Sequence, residues 1–400
     1  MQEIDHAICM NIITKTHPTT ENILVKAQEH PFALSHEELR SLLALEDTDA
    51  LFQTAYRLKC SILGKKVALR GIVEMGNVCA KNCYYCGIRH GNTKVSRYQL
   101  SEDDVVRMAK WCYDMEYGSV VLQSGEIESD AHTELIERII RRIHEFGGDS
   151  FGITLSLGEQ SEEAYRRWLV AGAHRYLLRI ETSNPTLYER LHPSDHSHNR
   201  RMECLRVLKR LGYQTGSGVM IGLPGQTLDD LANDIIFYHT MDLDMIGMGP
   251  YLPHHDTPLG KGIALTSEYA ANQLKLGLKM IAVTRLFLHD VNIAATTALQ
   301  ALDERGRELG ILAGANVMMP NATDTEYRPN YQLYENKPCL DENSQKCRNC
   351  LNWRVIAIGE KIAWNVRGDS PHFKKNLQKE RGRFHDDGKP DKTTNKGDQS

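Results

Sequence analysis

The sequence predicts an α/β protein folded as a single (β/α)8 TIM-type barrel, preceded by helices and followed by a C-terminal extension. Two observations lead to this prediction: short β-rich runs alternate with amphipathic helical patterns, and there are eight such runs. The alternation favours parallel strands, and eight of them close a barrel, although a doubly wound open sheet is the competing arrangement. The predicted strands are 67–74, 119–123, 152–157, 175–181, 214–221, 245–249, 291–294 and 315–319.

Three of the predicted helices begin at a strong N-terminal cap. Ser101, Ser161 and Thr227 are each followed by acidic residues within the first turn. A hydroxyl cap and nearby carboxylates satisfy free backbone N–H groups and favour the helix dipole, so we expect helices to begin at these positions. The helical segments predicted between the strands are 101–117, 131–146, 161–171, 199–211, 227–240, 267–288 and 297–309.

The chain divides into four segments. We predict that residues 1–60 form a helical segment with a break near Pro31 and that residues 61–335 form the barrel. Residues 336–370 contain a second group of cysteines and one further helix. Residues 371–400 have almost no apolar side chains, so we predict a disordered polar tail there.

The composition excludes several classes of protein. The 400 residues are 41% hydrophobic and 25% charged, as in ordinary globular proteins, and a net charge of −4 gives no basic surface for nucleic acid. No apolar stretch reaches the ~18 residues of a membrane-spanning helix, and the first residues show no secretory pattern. We therefore predict a cytoplasmic protein, in which clustered cysteines indicate metal binding or catalysis before disulfides.

Cys79, Cys83 and Cys86 follow the first predicted strand directly, with the spacing C-x3-C-x2-C. Thiolates are the usual ligands of iron–sulfur clusters, and three of them would leave one iron of a 4Fe–4S cluster without a protein ligand. An open coordination position marks a catalytic metal site, and loops after barrel strands carry the active sites of this fold. A zinc site is the alternative, but His90 fits poorly as its fourth ligand.

The cysteine spacing, with an aromatic residue before the third cysteine, resembles that of the radical S-adenosylmethionine (SAM) superfamily. In that superfamily SAM chelates the open iron, an electron from the cluster releases a 5′-deoxyadenosyl radical, and the aromatic residue, here Tyr85, lies beside the adenine. The run Ser124, Gly125 and Glu126 ends the second predicted strand and resembles the superfamily's Gly-Gly-Glu element, with serine in place of the first glycine. That element binds the SAM amino group through backbone carbonyls.

Charged residues at another strand end are further candidates. Glu181, at the end of the fourth predicted strand, could hold ribose hydroxyls or an ammonium group, and Arg200 could pair bidentately with the SAM carboxylate. For both, a surface ion pair is the alternative. Arg175 and Arg179 alternate onto the same strand face as Glu181, and because unpaired charge inside a barrel is costly, we expect all three to contact a ligand.

Other polar residues leave two interpretations open. Thr296 and Thr297 follow the seventh predicted strand and could fix a substrate carboxylate or simply cap the strand. The histidine-rich loops 192–198 and 254–256 could bind a metal ion, but irregularly spaced loop histidines more often face solvent.

A second cysteine group, Cys339, Cys347 and Cys350, follows the last predicted strand. An auxiliary iron–sulfur cluster, a zinc site and redox thiols are the three possibilities. We favour a second cluster, 2Fe–2S or 4Fe–4S, because a chain with the first cluster already depends on an assembly route for iron–sulfur centres.

Longer segments, taken together, resemble the HydE family, the radical SAM maturases of FeFe-hydrogenase, from about Leu39 to Asp369. Biotin synthase and methylornithine synthase share the barrel and the first motif but match the later segments less well. The segments that carry the resemblance are 78–89, 121–126, 154–159, 175–179, 222–227, 249–254, 295–298, 314–321 and 331–334.

The resemblance implies a complete barrel with a long internal cavity and with the cluster and SAM at its top. It implies that SAM lies near Glu181, Arg200, Thr154, Ser156 and Met248. It implies a substrate end lined by Gln123, Arg175, Arg179, Thr296, Thr297, Met319 and Tyr331. The three cysteines 339, 347 and 350 match an auxiliary-cluster site that only some family members have.

The resemblance also implies a reaction and partners. The substrate would be a small cysteine-bound iron carbonyl–cyanide unit supplied by a HydG-like protein, and the released iron fragment would pass to a HydF-like scaffold. A reductant such as ferredoxin or flavodoxin would supply the electron. The alternatives are a mutase like methylornithine synthase, a sulfur insertion like that of biotin synthase, and a non-enzymatic iron–sulfur carrier.

Overall fold

A computed structural model describes residues 19–340 and 344–386, with the side chains of 344–347 and 380–386 left out. The helices are α1 Thr20–Glu29, α2 His36–Ala44, α3 Asp49–Leu63, α4 Glu102–Asp114, α5 Asp130–Gly147, α6 Glu162–Ala171, α7 Pro185–Leu191, α8 His198–Arg210, α9 Leu228–Thr240, α10 Ser267–Leu288, α11 Thr297–Leu302, α12 Gly306–Leu312, α13 Ser344–Ala357 and α14 Pro371–Asp386. The strands are β1 Lys66–Leu69, β2 Gly71–Gly76, β3 Ser119–Ser124, β4 Gly152–Ser156, β5 Arg175–Leu177, β6 Gln214–Ser217, β7 Met220–Ile221, β8 Met245–Ile246, β9 Gly249–Pro250, β10 Asn292–Ala295, β11 Val317–Met318 and β12 Lys361–Ala363.

The parallel sheet closes on itself, as the predicted barrel requires. β1 and β2 are two halves of one strand that meet at Arg70. β2 pairs with β3, and the chain of neighbours then runs through β4, β5, β6, β8, β10 and β11 back to β1. Ile72 also bridges to Asn321 on the closing side. The prediction of a (β/α)8 barrel with N-terminal helices is confirmed.

Two further predicted strands are also each split in two. The predicted strand 214–221 becomes β6 and β7, and 245–249 becomes β8 and β9, with β7 and β9 pairing separately from the main sheet. Gly218 lies at the first break, where a Cβ would come within 2.2 Å of the Gly247 carbonyl oxygen. The close backbone approach therefore bends both strands at the top of the barrel.

The helices begin largely where the capping pattern predicts. Ser101, Ser161 and Thr227 are the caps of α4, α6 and α9, and each side chain accepts a hydrogen bond from a backbone N–H inside its helix. The N-terminal segment, predicted as one region broken near Pro31, forms α1, α2 and α3, which pack against α10 and α9. No helix within the described ranges is long and apolar enough to cross a membrane.

The C-terminal extension returns to the base of the barrel. β12 pairs with β1, and α14 follows, beginning at Pro371. The prediction of a disordered tail from residue 371 is therefore wrong as far as Asp386, because this helix is held to the barrel by ion pairs that hydrophobicity alone could not reveal. The rest of that predicted tail, 387–400, lies outside the described residues.

Candidate active site

The three cysteines of the predicted cluster site lie in the loop that follows β2, at the carboxyl end of the barrel strands. Cys79, Cys83 and Cys86 are partly buried and free of disulfides. Their loop is closed by a hydrogen bond from Cys86 N to the Cys83 carbonyl (3.3 Å). We call residues 77–92 the cysteine loop.

The chemistry of this loop fits an iron–sulfur cluster. Burial raises the pKa of all three thiols, and raises that of Cys83 to about 12. The backbone N–H of Glu126 lies 3.3 Å from the Cys79 sulfur and would stabilise a thiolate there. A metal that takes thiolates would displace the protons, and three thiolates leave one iron of a 4Fe–4S cluster open.

The run Ser124, Gly125 and Glu126 lies directly beside the cysteine loop. Gly125 N donates to the Gly76 carbonyl at 3.0 Å, and Ser124 Oγ donates to the Gly125 carbonyl at 2.7 Å. A Cβ on Gly125 would lie 2.2 Å from the Val78 carbonyl oxygen, so only glycine fits here. The replacement of the first glycine of the element by Ser124 therefore leaves the essential small residue in place.

Histidines that we expected in solvent are buried around the cysteine loop. His192 and His196 are 2% and 7% exposed. His196 Nε2 accepts a hydrogen bond from Asn82 N at 3.0 Å, and His192 Nε2 lies 3.4 Å from the Tyr85 hydroxyl. Their positions show that they support the loop, a role that spacing along the chain could not indicate.

Glu181 follows β5 at the top of the barrel, as predicted. Its φ of 67° is unusual for a residue with a side chain and marks local backbone strain. The carboxylate pairs with Arg179 at 2.9 Å, and the pKa of Glu181 is raised by burial, against the opposing effect of Arg179. A buried carboxylate whose pKa is raised in spite of Arg179 and Arg201 is suited to binding an ammonium group or hydroxyls.

The structure favours Arg201 over Arg200 as the buried arginine of the site. The Arg200 side chain is 46% exposed, and its closest carboxylate, Glu128, is 3.8 Å away. Arg201 is 7% exposed, pairs with Glu159 at 2.6 Å and donates to the Arg179 carbonyl at 2.7 Å. Consecutive helical residues point about 100° apart, so the start of α8 turns Arg201 towards the barrel and Arg200 away from it.

The structure places Arg175 at the base of the barrel, opposite the cysteine loop. It is the first residue of β5, and its Nη2 lies 2.7 Å from Asp369 of the C-terminal extension. Thr154, expected near SAM, is its neighbour in the sheet register and lies at the same depth. Ser156 lies higher, level with Gln123, whose amide donates to the Tyr331 hydroxyl at 3.2 Å.

A cavity inside the barrel contains donors that have no partner among the described residues. Its walls include Arg70, Thr154, Leu177, Asn292 and Met319. Buried polar atoms usually find hydrogen-bond partners, so a cluster without them indicates a ligand site. On the walls of this cavity the unpartnered atoms are Arg70 Nε and Thr154 Oγ1. Arg175 Nε and Nη1, Arg179 Nε and Thr296 Oγ1 are further buried atoms without a partner among the described residues.

Two further predicted residues have different surroundings. Met248 is 1% exposed, and its sulfur lies 3.9 Å from Tyr238 of α9 and Thr284 of α10, so it packs against the helices and not towards the predicted SAM position. Side chains alternate along a strand, and the inward position here belongs to Gly247. The Thr297 hydroxyl lies 2.9 Å from that of Tyr334.

A buried ion pair that no sequence pattern predicted lies inside the upper barrel. Lys337 pairs with Glu74 of β2 and donates to the Tyr331 carbonyl at 2.9 Å. Asn321 donates to the same carboxylate at 3.1 Å. Glu74 could have been found from the sequence, because it is a charged residue near the end of an apolar strand. Nothing in the sequence around Lys337 indicates that it is buried.

The second cysteine group is described in part. Cys339 lies 3.5 Å from Arg307 Nη2 and has a positive φ of 64°. Cys350 is exposed on α13, and Cys347 precedes it by one turn of the same helix, with its side chain outside the described part. Burial lowers the pKa of Arg354, but its pairing with Glu308 and then the charges of Cys350 and Cys339 outweigh this and raise it.

Comparison with known proteins gives the family of this chain. A profile of the Radical SAM superfamily matches residues 73–237. The FeFe-hydrogenase maturase subunit HydE of Thermotoga maritima is 42% identical over 346 residues, which cover 86% of this chain and 95% of that protein. The 3-methylornithine synthase of Methanosarcina acetivorans is 25% identical over 75% of this chain and 84% of that protein.

Solved structures agree with the fold. The crystal structure of methylornithine synthase (PylB) superposes with a TM-score of 0.70 at 22% identity, covering 86% of this chain and 98% of that one. That likeness shows the barrel, while the identity to the Thermotoga protein shows the closer relationship. The chain is a radical SAM enzyme, for which the superfamily implies a 4Fe–4S cluster and SAM, and it belongs to the HydE family.

Proposed function

We propose that this chain is a maturase of FeFe-hydrogenase that acts on a small cysteine-bound iron carbonyl–cyanide substrate. The family membership supports the pathway, since the Thermotoga relative is described as a subunit of that maturase. The observation that carries the substrate class is the set of unpartnered guanidinium and hydroxyl donors inside the barrel. Such donors suit a carboxylate, which a cysteine-bound substrate would present.

The side chains around the cysteine loop would hold the cofactors. Cys79, Cys83 and Cys86 would bind the 4Fe–4S cluster, which with SAM supplies a 5′-deoxyadenosyl radical. Arg200 and Arg201, which both lie in the first turn of α8, are the candidates to pair with the SAM carboxylate, and Tyr85 would flank the adenine. The closed barrel would keep water from a reactive species formed inside it.

The second cysteine group would bind an auxiliary iron–sulfur cluster, 2Fe–2S or 4Fe–4S, through Cys339, Cys347 and Cys350. In support, Arg307 lies within hydrogen-bonding distance of the Cys339 sulfur, where a buried cation stabilises a thiolate. A HydG-like supplier, a HydF-like scaffold and a reductant such as ferredoxin or flavodoxin would be its partners.

In vitro maturation tests the proposal. The anaerobically reconstituted chain is mixed with HydG-type and HydF-type proteins, apo-hydrogenase, SAM and dithionite, and hydrogen evolution is measured. We expect activity that depends on this chain and is lost in Cys79→Ser. Full hydrogenase activity without the chain would contradict the maturase role, and conversion of lysine to methylornithine would identify the mutase alternative.

A further inference from the structure

Lys81 lies in the three-residue gap between Cys79 and Cys83, where no ligand to the cluster is expected. Its side chain is only 20% exposed. The ammonium group lies 3.2 Å from Glu126 Oε1 and 3.0 Å from Glu159 Oε2. A lysine of the cysteine loop therefore reaches carboxylates that follow two barrel strands, β3 and β4.

The two carboxylates belong to one buried network. Glu159 also pairs with Arg201 at 2.6 Å, and its backbone N–H donates to Glu126 Oε2 at 2.9 Å. The Glu126 and Glu159 side chains are 9% and 4% exposed. Lys81 and Arg201 thus balance two carboxylates that are close together and largely out of water, where charges interact strongly.

Three consecutive residues of the cysteine loop contact Glu126. The Cys79 sulfur accepts from Glu126 N at 3.3 Å, Ala80 N donates to the Glu126 carbonyl at 2.8 Å, and Lys81 pairs with the carboxylate. The ion pair of Lys81 and the backbone hydrogen bonds therefore all involve Glu126. Displacing Glu126 would also displace its backbone N–H, which donates to the Cys79 sulfur.

We propose that Lys81 is a positioning residue that holds the cysteine loop against Glu126 and Glu159 in the shape that accepts the 4Fe–4S cluster. Without the lysine, the two carboxylates face each other with a single cation, Arg201. Breaking a buried pair by removing one partner is costly because it leaves uncompensated charge. The expected response is separation of the loop from β3 and β4.

The test compares Lys81→Met with Lys81→Arg, which keeps the charge, and with Lys110→Met, which removes a lysine from an exposed pair with Asp114. Iron release to a chelator and the EPR spectrum of the reduced cluster, with and without SAM, are measured on the reconstituted protein. Hydrogen exchange of residues 77–92 is measured on the apoprotein.

We expect Lys81→Met to release iron about tenfold faster, to alter the EPR change on adding SAM, and to exchange faster in the cysteine loop. Lys81→Arg and Lys110→Met should behave as the wild type. If Lys81→Met folds poorly, adding Glu126→Gln restores the charge balance and should recover the loop. Wild-type iron release and exchange in Lys81→Met, or no recovery in the double variant, would overturn the proposal.

The inference depends on the cluster that the family carries and not on the identity of the substrate. A chain that shows these effects but does not mature a hydrogenase would contradict the proposed function and leave the role of Lys81 in place.

Discussion

Asp369 forms an ion pair with Arg175 at the base of the barrel, with 2.7 Å between Oδ1 and Nη2. Arg175 is fully buried, and Asp369 comes from the segment between β12 and α14. His174 and Gln214 also lie within 3.2 Å of the same carboxylate oxygen. The C-terminal extension thus supplies the negative charge that an arginine inside the barrel requires.

Replacing Asp369 by Asn should destabilise the protein on the order of 3 kcal/mol, because it leaves Arg175 buried without a counter-charge. Burial raises the pKa of Asp369, but the hydrogen bond with His174 and the charge of Arg175 outweigh burial and hold that pKa well below its usual range. The carboxylate is therefore charged at neutral pH. Urea unfolding of Asp369→Asn measures the loss. Asp114→Asn, which removes half of an exposed pair, is the control, and an equal effect of both variants would contradict the prediction.

The attachment of α14 should weaken as the pH rises. His372 lies 2.6 Å from Asp242 and 3.1 Å from Asp290, and Lys375 also pairs with Asp290 at 2.6 Å. Burial lowers the pKa of His372, but the two carboxylates outweigh it and raise the pKa to about 9. Because this exceeds the ordinary value of about 6.5, the stabilisation is complete below about pH 6.5 and is lost as the pH rises through about 9.

Limited proteolysis of α14 between pH 6.5 and 9.5 checks this dependence. The wild type should become more susceptible over the interval. His372→Gln should be more susceptible at pH 6.5 and should change much less with pH. A wild-type rate that stays constant after correction for the protease would refute the role of His372.

Arg201 should matter more than Arg200 for SAM cleavage. Arg201 is buried within the charged network beside the cysteine loop, whereas Arg200 is half exposed. We expect Arg201→Gln to lower the yield of 5′-deoxyadenosine at limiting SAM by about tenfold or more, since a charged hydrogen bond contributes about 1.5–3 kcal/mol. Arg200→Gln should stay within about twofold. The KM for SAM and the rate of reductive cleavage are measured for both variants. A larger effect of Arg200→Gln would contradict the prediction.

Mutations should show that the two cysteine groups have different roles. We expect Cys350→Ser to lower the iron content and remove the spectroscopic signal of an auxiliary cluster while 5′-deoxyadenosine is still formed. Cys79→Ser should abolish 5′-deoxyadenosine formation, because the open iron that binds SAM would be lost. Unchanged iron content in Cys350→Ser would argue for redox thiols or an unused site.

The parts of the site whose placement the sequence predicted depend on short stretches of chain. Cys79, Cys83 and Cys86 share one loop, so their spacing alone indicates a common ligand. Glu181 follows β5 on the carboxyl side of the strands because strand and loop alternate regularly. The caps at Ser101 and Thr227 are likewise local, since a cap and its acceptor lie within one helical turn.

What the sequence could not indicate are contacts between distant segments. Asp369, 194 residues away, pairs with one end of the Arg175 guanidinium at the base of the barrel. Met248 faces the helices because a one-residue shift reverses the face on which a strand side chain lies. The helix α14 was missed because its stability comes from pairing with Asp242 and Asp290 of the barrel.

By itself, the sequence determined the barrel class, the position of the cysteine loop after the first strand and the chemistry of its thiols, since all three follow from local periodicity and spacing. Only the tertiary structure decided that Arg201 is buried and Arg200 is not, that buried donors of the barrel have no partner among the residues the structure describes, and that Lys81 reaches Glu126 and Glu159. These features depend on how helices rotate against the sheet and on which loops meet at its end. A linear pattern does not contain that information, because burial and charge pairing arise between residues far apart in the chain.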